Sequence, residues 1–183
     1  MEKKAFLILA NGFEEIEAIA VYDILKRANI NIYLVSITGE KIVRSTRKMG
    51  LSADFLFEEV NFNDGDIIIL PGGMPGSDNI ANHDGINNII QKYYDEGKKL
   101  AAICAAPLVF GRLNLLNNKN ATCYPGIESE LKGATISEDK VVVSENIITS
   151  KGPGTAVHFA LKLVEELKSK EISDKIKKDM LID

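Results

Sequence analysis

The sequence predicts an α/β fold in which a mostly parallel central sheet lies between two layers of helices. Strands and helices alternate along the chain, and two short runs, residues 66–70 and 100–103, are rich in apolar residues. Alternation of this kind is typical of parallel strands joined by helical crossovers. Continuous apolar strands indicate a sheet that is covered on both faces. The 183 residues contain no linker of low complexity, so we expect one domain, residues 1–183.

The elements follow from periodicity and from the residues that end them. The N-terminal part predicts a strand over 3–9, a helix over 14–28, a parallel strand over 30–37 and a short strand over 42–44, followed by an irregular region. The middle predicts a strand over 66–70, a helix over 84–96 that Gly97 ends, a strand over 100–103 and a helix over 108–116. The last part predicts a strand over 121–123, a helical piece over 126–131, a hairpin of 141–144 with 147–150, a helix over 156–168 and a charged terminal helix.

Charge and composition exclude several classes of protein. The net charge is −4, and the one basic run lies at residues 175–178, which disfavours a nucleic-acid partner. The apolar run at residues 5–10 is too short for a signal peptide, and no segment has the length for a membrane span. With two cysteines and no export signal, we expect a cytoplasmic protein without a structural disulfide.

Cys104 stands at a predicted turn from a strand to a helix. It follows the strand over 100–103 and precedes Pro107, which suits the first turn of a helix. Such a turn projects its side chain from the carboxyl edge of the sheet, where open α/β sheets bind ligands. The free N–H groups and dipole of the next helix favour a thiolate there. The sequence therefore predicts a reactive cysteine, with a buried structural cysteine as the alternative.

Glu17 is an unusual carboxyl in the first predicted helix. It shares helical spacing with Val21, Ile24 and Ala28, so it lies in an otherwise apolar stripe. A buried carboxyl tends to stay protonated and could donate a hydrogen bond to a nearby thiolate. The alternative is a helix edge with Glu17 in water. Glu14 and Glu15 fall in the first helical turn, where negative charge is favoured without any functional role.

Gly72 and Gly73 follow the buried strand over 66–70. Glycine removes the Cβ atom, which allows a tight turn or a close approach to a ligand. Because neighbouring parallel strands end at the same edge, the N–H groups of Gly73 and Ala105 could form an oxyanion hole. The alternative is an ordinary turn between a strand and a helix.

Cofactor sites are not indicated. The glycines of residues 72–76 lack the spacing of a dinucleotide-binding loop. His83, His158, Cys104 and Cys123 show no paired spacing of metal ligands, so we expect neither an organic cofactor nor a metal. His158 is predicted to be a helix residue with a local hydrogen bond. Cys123 is predicted to lie in a strand, with a resolving thiol as the alternative.

Four separated segments carry a resemblance to a known family. They read ANGFEEIE at residues 10–17, LPGG at 70–73, AAICAAP at 101–107 and TSKGPGT at 149–155. In this order and spacing they resemble the DJ-1 branch of the ThiJ/PfpI superfamily over nearly the whole chain. The resemblance implies a flavodoxin-like three-layer α/β/α sandwich with a nucleophile elbow, and a homodimer.

The resemblance also assigns roles to residues of the site. It implies a nucleophilic Cys104 that is readily oxidised to sulfinate, and a protonated Glu17 beside it. It implies that the backbone at Gly73 and Ala105 receives an anionic oxygen, and that Gly72 borders the substrate pocket. Arg47 lies where the family often supplies a basic residue near the pocket.

Two positions depart from relatives of this kind. Many relatives carry a His-Pro pair near the cysteine, whereas this chain has Tyr124 before Pro125. A phenol is a poor base at neutral pH, so Tyr124 could orient a substrate while Glu17 carries the acid–base work. Peptidase-type relatives carry histidine directly after the nucleophile, and here that residue is Ala105.

The leading functional hypothesis is an enzyme that acts on small reactive carbonyls. The Cys104 thiolate would add to the aldehyde of a 2-oxoaldehyde, Glu17 would move a proton between the two carbons, and hydrolysis would release a hydroxy acid. The same chemistry would remove early glyoxal adducts. The alternative is a non-enzymatic redox sensor or chaperone whose Cys104 is oxidised. A cysteine peptidase or an amidotransferase-like hydrolase is less favoured, because the necessary histidine is missing.

Overall fold

A seven-stranded sheet forms the centre of the computed structural model, which describes residues 2–182. The strands are β1 (Lys4–Leu9), β2 (Asn31–Ser36), β3 (Ile42–Arg44), β4 (Gly50–Ser52), β5 (Phe55–Leu56), β6 (Ile67–Leu70), β7 (Lys99–Ile103), β8 (Asn120–Ala121), β9 (Thr135–Ile136), β10 (Val141–Ser144) and β11 (Ile147–Ser150). The helices are α1 (Glu15–Arg27), α2 (Gly76–Ala81), α3 (Asp84–Asp95), α4 (Pro107–Arg112), α5 (Ala156–Leu167) and α6 (Lys170–Asp179).

The order of strands in the sheet is β10-β11-β7-β6-β1-β2-β5. All neighbouring pairs are parallel except β10 with β11, which form the predicted antiparallel hairpin. From β1 the chain continues to β2 on one side, whereas β6 lies on the other side. A crevice opens outside the carboxyl ends of the strands at such a reversal, which is where α/β sheets of this topology bind ligands.

Helices cover both faces of the sheet, because successive residues of each buried strand point to opposite sides. Leu7, Leu9 and Ile69 belong to one core, which α1 and α5 complete, and the neighbouring residues Ile8 and Ile68 belong to a second core with α3 and α4. The predicted flavodoxin-like three-layer α/β/α sandwich is thereby confirmed. That the chain forms one domain stays a prediction.

Several local predictions are wrong in extent. The helix after the elbow ends at Arg112 instead of residue 116, because Asn114 turns into the left-handed region with φ 57°. The strand predicted over 121–123 ends at Ala121, and the helical piece over 126–131 is a single 3₁₀ turn at Glu128–Glu130. Helix α2 and strand β9 have no clear signal in the sequence, whereas β4 and β5 lie in the irregular region, where only short strands are expected. None of the helices within residues 2–182 has the length and apolar character that a membrane crossing requires.

One buried hydrogen bond holds the segment after β8 against the sheet, and this bond can be tested. The backbone N–H of Thr122 donates to Oγ1 of Thr149 at 3.0 Å, and both residues are 1% exposed. Thr149→Val keeps the shape of the side chain but leaves that N–H without an acceptor. We expect the free energy of unfolding to fall by about 1–3 kcal/mol in urea titrations. Thr149→Ser keeps the acceptor and should lose less, and a valine variant as stable as the native protein would contradict this account.

Candidate active site

Cys104 occupies a strained turn between β7 and α4. Its backbone lies in the left-handed region with φ 65°, which costs free energy for any residue except glycine. Two backbone hydrogen bonds hold the turn: Cys104 N donates to Ser150 O at 2.9 Å, and Tyr124 N donates to Cys104 O at 2.8 Å. The turn therefore aims the side chain out of the carboxyl edge of the sheet, as the sequence predicts.

The sulfur of Cys104 lies among backbone donors and one carboxyl group. The residue is 8% exposed. Burial and then the nearby Glu17 carboxylate raise the pKa of the Cys104 thiol to about 12, although hydrogen bonds from the N–H groups of Ala105 and Gly73 oppose this. The two amides predicted to form an oxyanion hole thus both point to the sulfur. The helix stabilises a Cys104 thiolate less than the sequence suggests, because α4 has only 6 residues and begins with Pro107, which has no N–H.

Glu17 is fully buried, with 0% exposure, so the alternative of a carboxyl in water does not apply. Its Oε2 accepts a hydrogen bond from Gly72 N at 2.7 Å, and Oε1 makes no regular hydrogen bond with any residue in the range 2–182. The carboxyl group also interacts with the Cys104 thiol. Burial raises the pKa of Glu17 to about 7, against the hydrogen bonds from Gly72 and Cys104.

Glu17 and Cys104 therefore share one negative charge near neutral pH. Two adjacent buried anions would repel each other strongly, so one proton stays on the pair. With Glu17 ionised, the thiol keeps that proton. When the proton moves to the carboxyl, Glu17 becomes a donor to a thiolate that Ala105 and Gly73 also stabilise. The thiolate expected from the sequence is one of these two arrangements, and it needs the proton of Glu17.

Two glycines make this approach possible. A Cβ atom on Gly72 would lie 2.5 Å from Cys104 Cβ and 2.6 Å from Glu17 Oε2, so no side chain fits there. Gly73 has φ 91°, and a Cβ atom on it would lie 2.4 Å from Gly12 O. The Gly-Gly pair is thus required by close contact at the first position and by both conformation and contact at the second.

Tyr124 and Gly152 border the sulfur. Tyr124 is 50% exposed, and its backbone bond to Cys104 places it beside the nucleophile. A Cβ atom on Gly152 would lie 3.2 Å from the Tyr124 ring and 4.0 Å from Cys104 Sγ. Gly152 is not among the residues predicted to form the site. It could be predicted from the glycine-rich loop that follows β11, because this loop lies at the same edge of the sheet as Gly72.

The Arg47 guanidinium makes hydrogen bonds to Glu14, Glu15 and Thr46. The side chain is 74% exposed and its Nη1 lies 3.3 Å from Glu14 Oε1 and 3.2 Å from Glu15 Oε2. Glu14 caps α1, because its Oε2 accepts a hydrogen bond from Glu17 N at 2.9 Å. Glu14 therefore connects Arg47 to the start of the helix that carries Glu17.

The described chain offers no arrangement of metal ligands. No group of three or more His, Cys, Asp or Glu side chains among residues 2–182 is placed to hold an ion. His83 is committed elsewhere, since its Nδ1 accepts a hydrogen bond from Ile86 N at 3.1 Å and caps α3. Cys104 and Cys123 are both free thiols.

Glu15 holds the loop that carries Arg47. It accepts hydrogen bonds from Ser45 Oγ, from Thr46 Oγ1 at 2.9 Å and from Arg47 N at 2.8 Å. Burial opposes the ionisation of Glu15, but the hydrogen bonds, that of Ser45 first, outweigh it and lower the pKa of Glu15 to about 2. Ionised Glu15 therefore stabilises the fold.

This stabilisation should depend on pH. Because the folded pKa lies below the ordinary value of 4.5, the contribution is complete above pH 4.5 and is lost as the pH falls towards 2. We expect Glu15→Gln to lower the free energy of unfolding by about 1–3 kcal/mol at pH 7, with the difference shrinking on acidification. Glu40→Gln, at an exposed position, is the control. A difference between Glu15→Gln and the native protein that stays constant down to pH 2.5 would be inconsistent with this role.

Comparison with known proteins gives the same pattern over almost the whole chain. The family model described as DJ-1/PfpI family matches residues 3–166. Protein dj-1beta of Drosophila melanogaster is 36% identical over 184 residues, which cover 100% of this chain and 98% of that protein. Glutathione-independent glyoxalase DJ-1 of Schizosaccharomyces pombe is 33% identical over 178 residues, which cover 92% of this chain and 93% of that protein. Protein DJ-1 homolog B of Arabidopsis thaliana is 39% identical over 95% of this chain, which spans 40% of that longer relative.

Solved structures agree with the sequence comparisons. The crystal structure of Drosophila melanogaster DJ-1beta superposes with a TM-score of 0.95 at 36% identity and covers 100% of both chains. The structure described as Toxoplasma gondii DJ-1, oxidized, superposes with a TM-score of 0.94 at 36% identity and covers 98% of both chains. The match of the family model and the identity to full-length relatives lead to one conclusion: the chain belongs to the DJ-1/PfpI family.

Proposed function

We propose that this protein is a glutathione-independent glyoxalase that converts small 2-oxoaldehydes to hydroxy acids through Cys104. One observation carries the proposal: a cysteine on a strained turn faces two backbone N–H groups and a buried carboxyl whose pKa is near neutral. The name of the Schizosaccharomyces pombe relative supports the same activity. Removal of early glyoxal adducts would use the same first step.

The first step is attack of sulfur on the aldehyde. Glu17 in its ionised form takes the proton from the Cys104 thiol as the carbon–sulfur bond forms, so the high pKa of the thiol does not prevent attack. The aldehyde oxygen becomes an oxyanion where the N–H groups of Gly73 and Ala105 can donate to it. The oxyanion then takes the proton that Glu17 carries, so the product is a hemithioacetal and Glu17 is again ionised.

The second step is an internal transfer of hydrogen, and the third is hydrolysis. Glu17 removes the proton from the carbon bonded to sulfur and returns it to the neighbouring carbonyl carbon, while the hydroxyl proton passes to the former carbonyl oxygen, which converts the hemithioacetal to a 2-hydroxy thioester. Water then cleaves the thioester, which releases the hydroxy acid and restores the thiol. The sum is one 2-oxoaldehyde and one water consumed for each hydroxy acid formed.

The surroundings of the sulfur favour a small substrate. Cys104 is only 8% exposed, and the Tyr124 ring and Gly152 stand beside it. Tyr124 is placed to orient a substrate, whereas Glu17 is the buried acid–base group close to sulfur. Gly72 contributes close backbone contact instead of a side chain. Arg47 can influence the site through Glu14, as a charge near its entrance.

We also propose that the protein forms a homodimer. Ile16 is 56% exposed and Ile19 is 44% exposed on α1, and both line an apolar surface cleft with Ala20. Large apolar side chains side by side on a helix are typical of contacts between proteins. A cytoplasmic location stays a prediction from composition.

The nucleophile can be tested with the two cysteines of the chain. We expect Cys104→Ala to lower lactate formation from methylglyoxal by about a thousandfold or more, because Cys104 is the thiol held beside the Glu17 carboxyl. Cys123→Ala is the matched control and should retain turnover. Lactate formation that continues in Cys104→Ala would exclude the mechanism. Uptake of two oxygens at Cys104 under mild peroxide, with no carbonyl turnover in the native protein, would instead support a redox sensor.

The role of Glu17 can be read from a pH profile. One proton must leave the Glu17–Cys104 pair before sulfur can attack, so kcat/KM should rise with pH through an apparent pKa of about 7. Glu17→Gln keeps the shape and a hydrogen-bonding group but cannot take a proton. We expect it to lower kcat by about 10²–10⁴-fold and to abolish this rise. A variant with native kcat and the same profile would show that Glu17 does not move the proton.

A further inference from the structure

A second cleft, apart from Cys104, lies where the start of β10 meets α5 and α6. It has a volume of about 370 Å³, within the range of small-molecule sites. His158 and Lys162 line it from one face of α5, Lys177 from α6, and Lys140 from the residue before β10. None of these residues takes part in the chemistry proposed for Cys104.

The charges in this cleft are unbalanced. Lys162 is paired with Glu165 at 2.8 Å, and Asp139 accepts a hydrogen bond from Ser137 Oγ at 3.0 Å. By contrast, Lys140 and Lys177 make no ion pair with any residue between 2 and 182. Three lysines and two carboxylates line the cleft, so positive charge exceeds negative charge by one before His158 is protonated.

His158 adds a polar side chain with a ring nitrogen that makes no hydrogen bond within the described residues. Its Nδ1 is shielded from solvent and has no hydrogen-bond partner within the described chain. Burial, and then the positive charges of Lys140 and Lys177, lower the pKa of His158. The local hydrogen bond that the sequence analysis expects for this histidine is absent at that atom. Shielded polar groups without partners are rare in folded proteins and call for a ligand or another explanation.

The scaffold of the cleft is fixed. Lys140 O accepts a hydrogen bond from Ser150 Oγ at 2.7 Å, which ties the start of β10 to β11. Ser173 Oγ donates to Leu161 O at 2.8 Å, which ties α6 to α5 beside the cleft. The cationic groups thus project from backbone whose position does not depend on a ligand.

We propose that this cleft binds a phosphate group, as inorganic phosphate or as a small phosphate monoester, through Lys140, Lys177 and His158. Ammonium groups act as point charges that suit a tetrahedral oxyanion, and an imidazolium supplies an N–H donor to it. With His158 protonated, the excess of positive charge in the cleft is two, which a bound dianion balances. Binding of the dianion therefore raises the pKa of His158. The carboxylate of Glu165 is paired with Lys162, which leaves Asp139 as the carboxylate of the cleft that offsets one lysine.

The test follows the imidazole resonances by NMR during titration with inorganic phosphate, against sodium chloride at equal ionic strength. We expect phosphate to shift the His158 signal and to raise its pKa. His83, whose Nδ1 already accepts a hydrogen bond, is the internal control and should stay unchanged. A phosphate monoester such as glycerol phosphate, titrated in parallel, distinguishes the free ion from an esterified group by affinity.

Variants separate a site from a general effect of charge. The double variant Lys140→Gln, Lys177→Gln should weaken phosphate binding by roughly tenfold or more. Lys178→Gln removes an exposed charge outside the cleft and should leave binding unchanged. The proposal is overturned if His158 does not respond, if chloride has the same effect, or if the double variant binds phosphate as the native protein does.

Discussion

The chemistry proposed for this protein depends on the contact of Gly72 with both Glu17 and Cys104. Its N–H holds one oxygen of the carboxyl, and its missing side chain leaves room for the cysteine to come close. Because the carboxyl is wholly buried, its proton is retained near neutral pH and can pass to or from sulfur. A carboxyl in water would keep a pKa near 4.5 and would be a weaker base towards the thiol than Glu17.

The topology of the sheet brings these groups together from distant parts of the chain. Cys104 comes from the end of β7, Gly72 and Gly73 follow β6, and Gly152 follows β11, and these three strands are neighbours. Glu17 lies on α1, which packs against α5 on the same face of the sheet. The reversal of strand order lies at β1, next to β6, at the same edge of the sheet.

The sequence predicts the parts of this site that lie on regular elements. The turn at Cys104 and the glycines after β6 follow apolar strands with a clear pattern, so their place at one edge could be deduced. The burial of Glu17 could not be deduced, because the same spacing of residues occurs when a carboxyl lies at a solvated helix edge. The packing of α1 against α5 determines that Glu17 is buried. The hydrogen bonds of Glu15 to residues 45–47 could not be predicted, because these residues lie in a segment without periodicity.

Glu14, the cap of α1, links the pKa of buried Glu17 to charges at the protein surface. Glu14 repels the negative form of Glu17 from within the fold, and the exposed guanidinium of Arg47 offsets part of that charge. Dissolved ions screen the attraction between exposed Arg47 and Glu14 far more than the repulsion between buried Glu14 and Glu17. The proton affinity of an inaccessible carboxyl is thereby adjustable from the surface, by ionic strength or by any molecule that draws Arg47 away from Glu14.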